Sequence, residues 1–183
     1  MIRDCLLFLN EVSAIKAKDI VEALRERYAP PEWAFFSELR AGTGYRSFKR
    51  KGRNPEQRFD GWAINCYPSK GHTTISFEIK VSRQDFLNEI NNPDKRRQAM
   101  EFANEYYFVT PKGLVDVCEI PEECGLMEIK DGVIEVCKKP LFNPNPKIDL
   151  GFIASIARRG TEMSDKDYQT MRRQINRLHN RID

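Results

Sequence analysis

The chain has 183 residues, 40% apolar and 31% charged, with 30 Lys+Arg against 27 Asp+Glu for a formal net charge of +3. That length and balance predict one globular domain with a hydrophobic core and exclude intrinsic disorder. The N-terminal apolar run Cys5 to Leu9 falls far short of the ~20 residues of a membrane span and leads into no small-residue cleavage site, so a cytoplasmic protein without a signal peptide is expected.

In chain order, Lys16 to Tyr28 reads as an amphipathic helix, with Ile20, Val21 and Leu24 on one side, stopped by Pro30-Pro31. Trp33 to Leu39 is aromatic and extended. Residues 40–58, basic and glycine-containing, lack periodicity and read as a loop. Phe59 to Tyr67 and His72 to Val81 form a hairpin around Pro68-Ser69-Lys70-Gly71. Ser82, with Asp85 three residues on, opens a helix whose apolar side carries Phe86, Leu87 and Ile90. Asn91-Asn92-Pro93 interrupts it, and Pro93 suits the first position of a second helix reaching about Glu105. Tyr106 to Thr110 is a short strand. Met127 to Lys130 and Val133 to Val136 make a second hairpin on Asp131-Gly132, a type I′ signal. Pro140, Pro144 and Pro146 mark a linker before two helices, Leu150 to Arg159 and Ser164 to about Asn180.

Cys5, Cys66, Cys118, Cys124 and Cys137 are odd in number and widely spaced, which is no disulfide framework and no zinc-ligand spacing. Buried thiols acting as small hydrophobes are the default expectation. His72 reads as structural and His179 as exposed.

Charge is unevenly distributed. Residues 40–58 hold Arg40, Arg46, Lys49, Arg50, Lys51, Arg53 and Arg58 against Glu56 alone, a net +6, and the segment from Arg158 to Asp183 carries +3. A basic loop and a basic terminal helix on an acidic body form the footprint of a polyanion partner. Tyr45 and Phe48 within the loop could stack on bases. The alternative is a solvated loop and a solvated helix face.

The segment Thr73 to Val81 alternates strictly, with Ile75, Phe77, Ile79 and Val81 on one face and Ser76, Glu78 and Lys80 on the other. Glu78 and Lys80 are thus neighbours, about 7 Å apart, and Asp60 stands on the partner strand. Two carboxylates from adjacent strands beside an ammonium suit a hard divalent cation and an activated water, the requirements of phosphodiester hydrolysis. A second triplet, Glu128-Ile129-Lys130, has no upstream strand bearing a carboxylate and reads as the solvated face of a hairpin.

Arg58-Phe59-Asp60 followed by Phe77-Glu78-Ile79-Lys80-Val81-Ser82-Arg83-Gln84-Asp85-Phe86 resembles the PD-(D/E)XK nuclease superfamily, most of all the MmcB-like DNA repair proteins, which run E-x-K-x-S-x-x-D-F through this strand-to-helix junction. Tyr106-Tyr107-Phe108-Val109-Thr110-Pro111, Ile120-Pro121 and Gly125-Leu126 extend the resemblance over roughly residues 16–140. It implies an α/β fold: a restriction-endonuclease-like core with a central mixed β-sheet flanked by helices. The core would occupy residues 1–140, and 141–183 would form a basic helical extension packed on it. It also implies Mg2+- or Mn2+-dependent hydrolysis of nucleic acid, with Asp60 and Glu78 as metal carboxylates and Lys80 as the catalytic lysine. Glu38 matches an upstream acid that many members use as a further metal or water ligand. Many members carry it on a helix, whereas Trp33 to Leu39 reads as extended, and Phe59 stands where proline often precedes the aspartate.

Ser82 and Asp85 are adequately explained as a helix cap. Arg83 could reach a phosphate or pair with Asp85, and Lys95, Arg96 and Arg97 suggest either a backbone contact or a solvated run. The expected function is metal-dependent cleavage of DNA in repair or processing, with Arg46, Lys49, Arg50, Lys51, Arg53, Arg58 and Arg83 on the phosphate backbone. The alternatives are a non-catalytic nucleic-acid or protein-binding module, or a ribonuclease or structure-specific enzyme. The oligomeric state is left open, a homodimer among the options.

Overall fold

The computed structural model describes residues 15–41 and 58–160. The basic-loop residues Arg46, Lys49, Arg50, Lys51 and Arg53, together with Cys5, His179 and the helix expected from Ser164, lie outside them.

Helix α1 (Ala17–Arg27) precedes strands β1 (Trp33–Arg40), β2 (Arg58–Asn65) and β3 (Thr74–Ile79). Helices α2 (Arg83–Ile90) and α3 (Pro93–Met100) lead to β4 (Glu105–Pro111), then β5 (Gly125–Lys130) and β6 (Val133–Lys138). A further helical stretch, α4, covers 150–160. The six strands form one sheet in chain order. β1–β2, β2–β3 and β5–β6 are antiparallel, whereas β3–β4 and β4–β5 are parallel. The protein is therefore an α/β fold with a mixed sheet, as expected. The parallel β3–β4 step uses α2 and α3 as its crossover, which a parallel pair requires.

Each face of the sheet has its own core. Ile20 and Leu24 of α1, with Tyr28 just after it, cover Phe35, Ile75, Phe77, Ile79, Val109 and Met127. On the opposite face, Phe86 of α2, Ala99 of α3 and Phe152 of α4 join Phe59, Trp62, Tyr106, Phe108 and Leu126. Phe152 packs edge-on against Phe59 and Trp62, with centroids 5.8 and 5.1 Å away. The expected linker is stitched to the α3–β4 corner: Asn143 N donates to the Asn104 carbonyl at 2.8 Å, and Asn104 Nδ2 donates back to the Asn143 carbonyl at 2.8 Å.

Local chemistry explains the boundaries. Ser82 Oγ accepts from Asp85 N at 3.2 Å, so the expected cap is in place, and Pro93 opens α3. Asp131 (φ 51°) and Gly132 (φ 78°) are both left-handed, as a type I′ turn demands. Two expected boundaries are corrected. α3 ends at Met100 and not near Glu105, because Asn104 is consumed in binding Thr74, accepting from its N at 2.8 Å. The first hairpin is shorter than expected, because the Asn65 side chain accepts from Tyr67 N at 2.9 Å and ends β2. The cysteine expectation is also corrected: Cys124 is buried, but Cys66, Cys118 and Cys137 are exposed. No helix among the described residues is long and apolar enough to cross a membrane.

Candidate active site

β3 is the central strand in the sense that matters here: every one of its residues, Thr74 to Ile79, is buried. The alternation read from sequence holds. Ile75, Phe77 and Ile79 enter the α1-side core, so Ser76 and Glu78 face the α2–α3 side. Ser76 and Glu78 are buried rather than solvated, because helices cover that face too. Lys80 lies one residue past the strand, where its amide still donates to the Val109 carbonyl at 3.0 Å.

The Lys80 ammonium donates to Glu78 Oε1 at 2.5 Å and lies 3.4 Å from Glu89 Oε2. Asp60, on β2 beside β3, accepts the Ile79 amide on Oδ2 at 2.9 Å, which fixes its carboxylate at the end of β3. The structure thus brings Asp60, Glu78 and Lys80 together. Burial pushes the Glu78 carboxyl above its ordinary value of 4.5, and the charge on Asp60 adds to that rise; Lys80 opposes both. Behind this group the same sheet face continues with Ser76 and, opposite it on β4, Tyr106. The Tyr106 phenol is pushed well above its ordinary value by burial and by the charges of Glu78 and Glu89.

Glu89 is the site residue that sequence reasoning missed. It is buried on α2 at 6% exposure, as deeply as Glu78. The signal was present: Glu89 follows Phe86 by three residues and precedes Ile90, so it borders the apolar stripe that had to face the sheet.

Glu38 stands apart. The β1–β2 ladder passes from Ser37↔Gly61 to Leu39↔Phe59 and skips the Glu38–Asp60 position. Glu38 is left-handed there (φ 54°), an uncommon conformation for a residue with a side chain. The side chain is exposed and pairs with Arg58 at 2.8 Å. Among the described residues no three His, Cys, Asp or Glu side chains are grouped to hold a metal ion. Mg2+ characteristically binds through one or two carboxylates, keeping waters and substrate phosphates as its other ligands. Asp60 and Glu78 fit that pattern: both are hard oxygen donors, and their proximity opposes the charging of Glu78, which a cation would relieve.

Arg83, Arg96 and Arg97 have structural partners. Arg83 makes a two-pronged ion pair with Glu119, Nη1 to Oε2 at 2.6 Å and Nη2 to Oε1, rather than pairing with Asp85. The Arg83 guanidinium and the Asp116 amide together hold the Glu119 carboxyl at about 2. Arg96 corrects both alternatives considered for its basic run. It is buried at 4% exposure, pairs with Glu123 at 3.3 Å and donates to the Glu89 carbonyl at 3.4 Å. Arg97 remains on the surface beside Asp94.

No family model matches the chain, and no curated protein matches it. Among solved structures, the chain is similar to a protein of unknown function from Silicibacter pomeroyi, with a TM-score of 0.54 at 17% identity, over 85% of this chain and 88% of that one. That likeness extends over most of both chains and shows the shared α/β fold.

Proposed function

We propose that this chain is a cytoplasmic, metal-dependent nuclease of the PD-(D/E)XK kind that hydrolyses DNA phosphodiester bonds in repair or processing. The observation that carries this reading is the convergence of Asp60, Glu78 and Lys80 at the end of a buried strand, within a mixed sheet whose topology suits a restriction-endonuclease-like core. Carboxylates and a lysine are costly to bury. Their placement here is more economically explained by chemistry than by folding.

In this reading Asp60 and Glu78 hold Mg2+ or Mn2+, with Glu38 outside that set in the conformation seen. When bound, the metal supplies Lewis-acid stabilisation of phosphoryl charge and lowers the pKa of a bound water. Glu78 and Glu89 fix the Lys80 ammonium, which orients the attacking water and donates to the phosphate as charge develops. Asp60 is held by the Ile79 amide, so its carboxylate keeps its place without the metal. Arg58 and the basic residues of 40–58 grip the phosphate backbone, contacts that position substrate without reading sequence.

One observation favours a second reading. Two carboxylates already engage the Lys80 ammonium, and no three-ligand group is present among the described residues, which suits a nucleic-acid or protein-binding module without turnover. Cleavage of labelled single-stranded, duplex and branched DNA, and of RNA, separates the two. Metal-dependent cutting that disappears in Lys80→Ala and Asp60→Asn supports the nuclease, and the substrate panel gives its preference. Salt-sensitive binding with no cutting on any substrate supports the module.

A further inference from the structure

A cleft of about 620 Å3 lies well away from the carboxylate–lysine site. Thr73 and Ile75 line it at the beginning of β3, and Glu105 and Tyr107 at the beginning of β4. Lys80 is five residues beyond Ile75, about 17 Å along an extended chain. The cleft is also on the other face of the sheet, since Ile75 and Tyr107 belong to the α1-side core. Its size is that of a small-molecule site.

Its polar groups divide into committed and uncommitted ones. Arg27 lines the cleft, but Nη1 donates to the Ile134 carbonyl at 2.9 Å and the guanidinium lies 5.9 Å from the Tyr28 ring centroid. Of the two acids, Glu32 accepts from Asn65 Nδ2 at 3.1 Å, and Glu105 interacts electrostatically with the Tyr107 phenol. Lys70 and Lys139 are different. Both are exposed, and neither pairs with a carboxylate among the described residues. The same cleft has aromatic and apolar lining residues, among them half-buried Trp33, whose ring meets Tyr28 edge-on at 5.0 Å.

We propose that this cleft binds a nucleoside monophosphate unit, with its phosphate between Lys70 and Lys139 and its base against Trp33. Lysines hold phosphate as mobile point charges, and any base offers a π-face to an aromatic ring. The unit can come from a free nucleotide or from a single-stranded polynucleotide end. The proposal does not depend on hydrolysis at Asp60, Glu78 and Lys80.

The chain has two tryptophans, and Trp62 is buried at 1% exposure on the opposite face. Tryptophan fluorescence therefore reports on the cleft through Trp33. Thymidine 5′-monophosphate, thymidine, inorganic phosphate and oligothymidylate would each be titrated in EDTA, so that no metal-dependent site contributes. Saturable quenching by the monophosphate is expected, competed by inorganic phosphate. The Lys70→Ala/Lys139→Ala variant, its fold checked by circular dichroism, should bind about tenfold or more weakly. Comparable affinity for monophosphate and oligomer supports a free nucleotide as the source; a far tighter oligomer supports a single-stranded end. No saturable change, wild-type affinity in the double-lysine variant, thymidine binding as well as its monophosphate, or quenching only with added Mg2+ would each overturn the proposal.

Discussion

The chain contains the tripeptide Glu-Ile-Lys twice, and the structure treats the two copies in opposite ways. Glu78-Ile79-Lys80 closes a strand buried on both faces, with Asp60 from β2 and Glu89 from α2 around it. Glu128-Ile129-Lys130 closes β5, where Glu128 is only half-buried and Lys130 exposed. Glu128 serves the backbone there, accepting from Gly113 N at 2.8 Å, and lies 3.4 Å from Cys137 Sγ. The same three side chains form an ion-pair cluster in one place and brace a loop in the other. A tripeptide does not define a site; the neighbouring strand and the covering helix do.

The comparison is most sharply tested by activity. If the proposed nuclease reading holds, Lys80→Ala should lower metal-dependent cleavage by about 10²–10⁴-fold, while Lys130→Ala leaves the rate unchanged in the same assay. Stability should divide them next. Lys80→Met leaves Glu78 and Glu89 buried without their shared cation, at a cost of about 3–5 kcal/mol in urea denaturation. Lys130→Met should stay within about 0.5 kcal/mol of wild type. Equal losses at the two lysines would break the comparison.

β5 has a different sensitivity. A Cβ on Gly125 would stand 2.4 Å from the Tyr107 ring and 2.9 Å from the Lys138 carbonyl oxygen. Gly125→Ala should therefore cost about 1–3 kcal/mol, measured in the same way.

The pH dependence of stability separates the acids. Folding raises the Glu78 pKa above 4.5, so its contribution favours the folded state at low pH and declines as pH rises through the folded value. The decline is about 1.4 kcal/mol per unit of rise, and Glu78→Gln should abolish it. Glu119 has the opposite sign. Its pKa is lowered from 4.5 to about 2, so its contribution is present above 4.5 and is lost as pH falls through about 2. On this half-exposed pair the effect of Glu119→Gln should be the smallest of the set, visible as a flatter acid limb.

Much of the local structure was legible because its causes are local. The Ser82 cap, the Pro93 helix start, the Asp131-Gly132 turn and the facing of Glu78 each depend on a few adjacent residues. The juxtaposition of Asp60 with Glu78 was also legible, since the hairpin that joins them is short. What was not legible depends on distant partners. Arg83 chose Glu119, 36 residues away, over the nearby Asp85. Glu89 becomes a site residue only when α2 docks on β3. Glu38 stands at the position across from Asp60, but its left-handed backbone and Arg58 hold it at the surface.

The complete burial of β3 has a consequence in time. Amides on a strand covered from both sides exchange with solvent through the largest and rarest openings of the chain. The Ile79 amide is held by the Asp60 carboxylate, and the next amide by the Val109 carbonyl. Deuterium should therefore reach Ile79 and Lys80 among the last positions in the protein. Asp60→Ala should hasten exchange at Ile79 while sparing Lys80, which makes one backbone proton a clock for the integrity of the whole carboxylate arrangement.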